Sequence, residues 1–138
     1  MIVQLKFNEF GLSIEHRCRL VGEIGETLVN RNLMFLKDMY GFTPLYQMKH
    51  LRYEAHLGPW KDIPTTLQEK TGDCKEFACW RVAELRLMGE DAQFHVVGFK
   101  KENQAVFHLQ VRREDGTIED PALHMGMRPL DSMALLGL

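Results

Sequence analysis

Apolar positions change period along this chain. Ile14, Cys18, Val21, Ile24 and Leu28 recur at three- and four-residue spacing, the pattern of a helix with one buried face, and Ser13 stands where a cap belongs. Gly22 and Gly25 weaken that helix and allow close packing against it. Asn30-Arg31-Asn32 predicts an interruption, with a short second helix over 33–40 stopped by Gly41. The first ten residues read as a strand or a loose arm. Residues 42–70, punctuated by Pro44, Gly58-Pro59 and Pro64, read as irregular. A long irregular stretch inside a compact domain is often a functional one. Residues 73–88 form the clearest helix, closed by Gly89. Beyond it the period falls to two. Strands are expected over 92–99 and 105–113, with the polar residues 100–104 between them. Glu114-Asp115-Gly116 signals a tight turn, and a short third strand over 117–120 ends at Pro121. The segment 122–138 carries Met125, Met127, Leu130, Met133, Leu135, Leu136 and Leu138, and must pack on this chain or on a partner. Helices first and an antiparallel meander afterwards predict one α+β domain over 1–138.

The helix over 73–88 has a chemical tip. Asp73 and Glu76 have capping-box spacing, which puts Cys74 at the first helical position. A thiolate is the nucleophilic form of cysteine, and the free N–H groups of a first helical turn favour negative charge. Asp73 and Glu76 oppose that charge, and they are expected to point toward solvent. Phe77, Ala78, Trp80, Val82, Ala83, Leu85, Leu87 and Met88 cover most of the helix circumference, so it should be central. Taken alone, Cys74 reads as one more small buried residue. A histidine and an aspartate further along change that reading.

His108 lies mid-strand, on one face with Val106 and Gln110, while Phe107, Leu109 and Val111 share the other. A strand gives a general base a fixed position. Asp120 follows the turn, and a carboxylate on the far ring nitrogen would set the tautomer and stabilise the imidazolium. Register decides whether it gets there. A two-residue loop at Asp115-Gly116 pairs Glu114 with Thr117 and turns Asp120 away from His108. A three-residue loop, with Gly116 left-handed, pairs Arg113 with Thr117 and sets Asp120 opposite Gln110, diagonal to His108 on the same face. A Cys74–His108–Asp120 triad therefore predicts the odd-length loop. Alone, His108 reads as a half-buried strand histidine and Asp120 as a turn-flanking carboxylate.

Gly72-Asp73-Cys74 opening an alanine-containing helix resembles the nucleophile motif of the transglutaminase-like cysteine superfamily. Leu87-Met88-Gly89-Glu90-Asp91-Ala92 and the strand after it, Phe107-His108-Leu109-Gln110-Val111, and Gly116-Thr117-Ile118-Glu119-Asp120-Pro121 are similar to that family's later segments, in its chain order. The resemblance spans Gly72 to Ala122. It implies a papain-like core, with N-terminal helices and a cysteine-bearing helix packed on a small antiparallel sheet that carries His and Asp. It also implies acyl transfer on amides by a peptidase, amidase or cross-linking enzyme, with a protein or peptide substrate. Inactive relatives exist. By the offset papain-like peptidases use, Gln68 is a candidate oxyanion donor, with the Trp60 indole as its rival. The run from Trp60 to Thr65 and the helix residues Trp80 to Arg86 resemble small proteins of this type from tailed phages, which would act in a bacterial host's cytoplasm. Leu109-Gln110 departs from the family, where a small residue and a tryptophan commonly follow the histidine.

Composition narrows the alternatives. Seventeen basic against nineteen acidic residues give a net charge of -2, and no nucleic-acid motif stands out. No stretch approaches the ~18 apolar residues of a membrane span, and the N-terminus lacks a signal-peptide pattern. Cys18, Cys74 and Cys79 make an odd set, favouring free thiols in a reducing, cytoplasmic setting. Cys18 and Cys79 read as packing. His16, His50, His56 and His124 show no usable pattern. Zinc is disfavoured because Cys74 and Cys79 share one helix and His95, His108 and His124 form no ligand pair, so no metal or cofactor is expected. The remaining rival is a non-catalytic assembly or binding module that uses its apolar C-terminal segment to hold a protein partner.

Overall fold

The computed structural model describes residues 10–39, 41–102 and 104–128. Helix α1 (Ile14–Asp38) starts at Ser13, whose hydroxyl accepts the His16 N–H at 3.2 Å. Contrary to the interruption the sequence predicts, α1 runs unbroken for 25 residues through Asn30-Arg31-Asn32. Tertiary contacts override the local signal. Asn32 is buried and accepts the Ile63 N–H at 3.0 Å, and Arg31 Nε reaches Asp62 at 3.3 Å. Polar side chains that would favour a turn in isolation are tied down by a second element here.

Residues 42–70 are also more ordered than their prolines suggest. They hold a 3-10 turn (Leu45–Gln47), strand β1 (Arg52–Tyr53) and helix α2 (Ile63–Glu69). Pro44 caps the 3-10 turn, and Pro64 lies in the first turn of α2, where proline is pre-organised for helix. Lys70, left-handed at φ 64°, ends α2 and leads into β2 (Thr71–Gly72), which pairs in parallel with β1. A Cβ on Gly72 would lie 3.2 Å from Glu76 Cβ and from the Phe77 ring. Glycine here lets the chain pass close to α3 (Cys74–Leu87) before entering it. Phe77, Ala78, Cys79, Trp80, Val82, Ala83 and Leu85 of α3 are all fully buried, so the helix is central, as its apolar circumference predicts.

Strands β3 (Gln93–Lys101) and β4 (Gln104–Arg112) form an antiparallel hairpin, and β5 (Ile118–Glu119) adds to β4. The hairpin is longer at its tip than the polar stretch 100–104 suggests, because Lys100 pairs with Ala105 and Lys101 with Gln104. One of its faces packs on α1. Phe94 lies against Gly25, Val96 approaches Gly22, and Gly98 sits under the Cys18 sulfur. Helix α4 (Pro121–His124) follows β5, and Met125 and Met127 beyond it are buried. Among the described residues the architecture is α+β: four helices, a two-stranded parallel pair and a three-stranded antiparallel sheet. No helix among them is long and apolar enough to cross a membrane. Residues 1–9 of the strand or loose arm expected over 1–10, and the apolar positions Leu130, Met133, Leu135, Leu136 and Leu138, lie outside the described residues.

The two helical glycines should respond oppositely to alanine. A Cβ at Gly25 would stand 2.8 Å from the Phe94 ring, whereas at Gly22 the nearest atom is Val96 Cγ2 at 4.0 Å. Gly22→Ala should raise stability by about 0.5–1 kcal/mol through helix propensity. Gly25→Ala should instead lower it by about 1–3 kcal/mol through overpacking. Urea midpoints at constant m-value check both signs.

Candidate active site

The site is assembled from three chain segments. The Asp73 carboxylate accepts the Lys75 N–H at 3.0 Å, and Glu76 Oε1 accepts the Asp73 N–H at 3.1 Å, completing the capping box and fixing Cys74 at the first position of α3. That position leaves the Cys74 N–H without an acceptor inside the helix. The Cys74 side chain is partly exposed, while Cys79, five residues on, is fully buried with its thiol directed to the Gly25 carbonyl at 3.8 Å. Burial pushes the Cys79 thiol well up, with the Glu76 charge adding to it, so this cysteine is a packing residue.

His108 stands mid-strand on β4, opposite Val97, and its ring is fully buried. Val111 pairs with Glu119 and Arg112 with Ile118. The Arg113 N–H donates to the Thr117 carbonyl at 2.7 Å, and the Gly116 N–H to the Arg113 carbonyl at 2.9 Å. The loop is thus the three-residue form with Gly116 at φ 88°. That register carries Asp120 to His108, whose Nε2 lies 2.7 Å from Asp120 Oδ2. Gln110, at the departure from the family pattern, donates its amide to the same oxygen at 3.1 Å. The other Asp120 oxygen accepts the Leu123 N–H at 3.3 Å and caps α4.

Two groups act on the ring. Nε2 belongs to Asp120. Nδ1 makes no hydrogen bond of ordinary geometry among the described residues, yet the Cys74 thiol lies near enough to favour a proton on the ring. Burial works against the charged form of His108, but Asp120 and Cys74 outweigh it and lift the ring to about 9. Burial likewise opposes the Asp120 charge, and the His108 and Gln110 bonds overcome it, holding the carboxyl below its ordinary value. The structure therefore brings together Cys74, His108 and Asp120.

Among the described residues, no hydrogen bond joins the oxyanion candidates Gln68 and Trp60 to that cluster. Gln68 is exposed near the end of α2. Trp60 packs on the core and lines a groove of about 1000 Å³ between α1 and the 54–71 segment, whose walls include Thr27 and Thr71 but not Cys74.

The capping carboxylates do not point to solvent as expected. Asp73 and Glu76 are both buried, because a second segment folds over them. The β1–β2 pairing brings His56 onto the first turn of α3, where its Nε2 lies 2.5 Å from Glu76 Oε1. Lys75 Nζ sits 2.6 Å from Asp73 Oδ2 and 3.8 Å from Glu76 Oε2. Ligand atoms of His56, Asp73 and Glu76 lie within 4.8 Å of one another, close enough for a metal ion, but the Lys75 ammonium already supplies a cation to both carboxylates. Burial and the Asp73 charge push the Glu76 carboxyl above its ordinary range. Sequence reasoning reached Asp73 and Glu76 through the capping box. It had no signal for His56 or Lys75, whose roles depend on a contact across the fold.

The His108–Asp120 bond predicts a pH dependence of stability, best read in Cys74→Ser, where the thiol does not titrate. Below pH 6.5 folded and unfolded chains both protonate the histidine, and its contribution is fully present. As pH rises from 6.5 toward 9 the unfolded chain loses that proton first, so stability falls; the full shift to about 9 corresponds to about 3 kcal/mol, and Cys74→Ser should show the smaller part that Asp120 supplies. Asp120 acts at the other end: its contribution is present above pH 3.8 and is lost on further acidification. Asp120→Asn in the same background should flatten both slopes in denaturant titrations taken across pH.

Compared with known proteins, this chain matches no protein-family model, no curated protein and no solved structure.

Proposed function

We propose that this chain is a cysteine-dependent acyl-transfer enzyme with a papain-like core, acting on amide bonds of peptide or protein substrates. One observation carries the reading: a fully buried imidazole has a carboxylate on Nε2 and a cysteine at a helix tip near enough to favour its protonated form. A histidine serving only as packing has no need of both.

In this reading Nδ1 of His108 takes the Cys74 proton, and the sulfur attacks the amide carbonyl. The negative charge forming on the carbonyl oxygen meets the free Cys74 N–H at the helix tip. His108 returns the proton to the departing amine, leaving a thioester on Cys74. Water, deprotonated by the same nitrogen, then attacks the thioester and releases the acid, while the proton returns to sulfur. An amine in place of water gives cross-linking by the same steps. Asp120 keeps a proton on Nε2, so that Nδ1 is the nitrogen available to sulfur.

A second reading, a binding module with a silent triad, draws on the large groove whose walls leave out Cys74. Thiol chemistry separates the two. Iodoacetamide should label Cys74 in preference to buried Cys79, and the labelling should persist at pH 6. His108→Asn should slow labelling at pH 6 at least tenfold, because an unassisted cysteine is almost wholly thiol there. Turnover of a fluorogenic peptide library should vanish in Cys74→Ala and fall by about 10²–10⁴ in Asp120→Asn. Labelling at pH 6 that is indifferent to His108 would overturn the catalytic reading.

A further inference from the structure

The charges flanking Cys74 are arranged in two pairs. Asp73 precedes the cysteine and Lys75 follows it, their charged atoms 2.6 Å apart. Glu76 is joined to His56 at 2.5 Å, and its other oxygen faces the Lys61 N–H at 3.4 Å. Lys75 Nζ also lies 3.4 Å from His56 Nε2 and 3.4 Å from the His56 carbonyl. Lysine normally extends its ammonium into water. Here only 13% of the Lys75 side chain is exposed, and that of Glu76 is not exposed at all. The two buried carboxylates hold the ammonium there, and Cys74 stands between Asp73 and Lys75 in the chain.

We propose that Lys75 is a positioning residue for the Cys74 nucleophile: its ammonium, held between the Asp73 and Glu76 carboxylates and against His56, cancels negative charge that the capping box would otherwise set beside the sulfur. The inference rests on Cys74 being the reactive thiol. Capping α3 requires side-chain acceptors at 73 and 76, and carboxylates meet that need at the cost of opposing a thiolate one residue away. The Lys75–Asp73 pair removes one of those charges, and burial, which pushes the Glu76 carboxyl above its ordinary range, weakens the other. His108 on β4, with Asp120 behind it, is the cation the site sets against the sulfur. Lys61 is committed elsewhere, with its ammonium on Glu69 and on the Thr71 carbonyl. Lys75 thus leaves the imidazolium of His108 unopposed.

The test is the pH profile of Cys74 alkylation in the full chain, with Cys18 and Cys79 replaced by alanine in every variant. Lys75→Gln should move the profile up by about one pH unit, a rate about tenfold lower at pH 6. Asp73→Asn keeps a good N-cap, so the double variant Asp73→Asn/Lys75→Gln should return the profile to within about 0.3 unit of the parent. Lys75→Arg should retain the parent profile. If Lys75→Gln does not fold by circular dichroism, Asp73→Asn alone gives the converse reading, a profile displaced downward. A folded Lys75→Gln with the parent profile, or a double variant that fails to recover, overturns the inference. A His108→Asn arm is run beside these. Its indifference would sink the catalytic reading, while the lysine arms still report on the charge beside sulfur.

Discussion

Asp120 Oδ2 lies 2.7 Å from His108 Nε2, and the arrangement of the site follows from that contact. The ring is fully buried, so it needs a partner to hold a proton, and the partner has to come from a neighbouring strand in one register only. The three-residue loop with left-handed Gly116 supplies that register. Shifting the pairing by one residue would turn Asp120 to the opposite face. Asp120 then anchors α4 through the Leu123 N–H, so one carboxylate orients the histidine and starts the segment that follows.

The neighbouring residue braces this geometry. Glu119 accepts from Arg81 Nε at 2.8 Å, from Arg113 Nη1 at 2.8 Å and from the Tyr46 hydroxyl at 3.1 Å, tying β5 to α3, the turn and the 3-10 segment. Burial opposes the charge on Glu119, but the two guanidiniums prevail and hold its carboxyl at about 2. Arg113 also pairs with Glu90 at the start of the β3 approach. On the far side of Tyr46 the ring stacks on His124 at 3.8 Å. Such a network fixes the end of β5 from several directions, which is what a strand of two residues needs if its next side chain is to aim at a buried ring.

The first turn of α3 shows the same economy at the sulfur's end. The capping box that starts the helix also places two carboxylates around the cysteine, and the fold answers with Lys75 and His56. Neither residue stands out in the chain: a lysine in a charged run and a histidine between prolines are ordinary. Their meaning comes from the β1–β2 pairing, which lays the 54–61 segment over the helix tip.

Local chemistry was enough to place α3, its cap, the two long strands and the turn, because their signals are carried within a few residues: Asp73 with Glu76, the alternation from Val106 to Val111, and Gly116 after Asp115. The same patterns named Cys74, His108 and Asp120 and tied their meeting to one loop length. Three things lay beyond local chemistry. Asn32 could be read as a breaker until Ile63 offered it a hydrogen bond across the fold. Residues 42–70 looked irregular because β1, α2 and β2 are short and draw their order from one another and from α3. Asp73 and Glu76 were expected in solvent because nothing near them in the chain says that His56 will cover them. Turn type and side-chain alternation are set by neighbouring backbone angles, so the sequence alone determined them. Burial of a charge is set by whatever packs against it, and for this protein only the tertiary structure decided that.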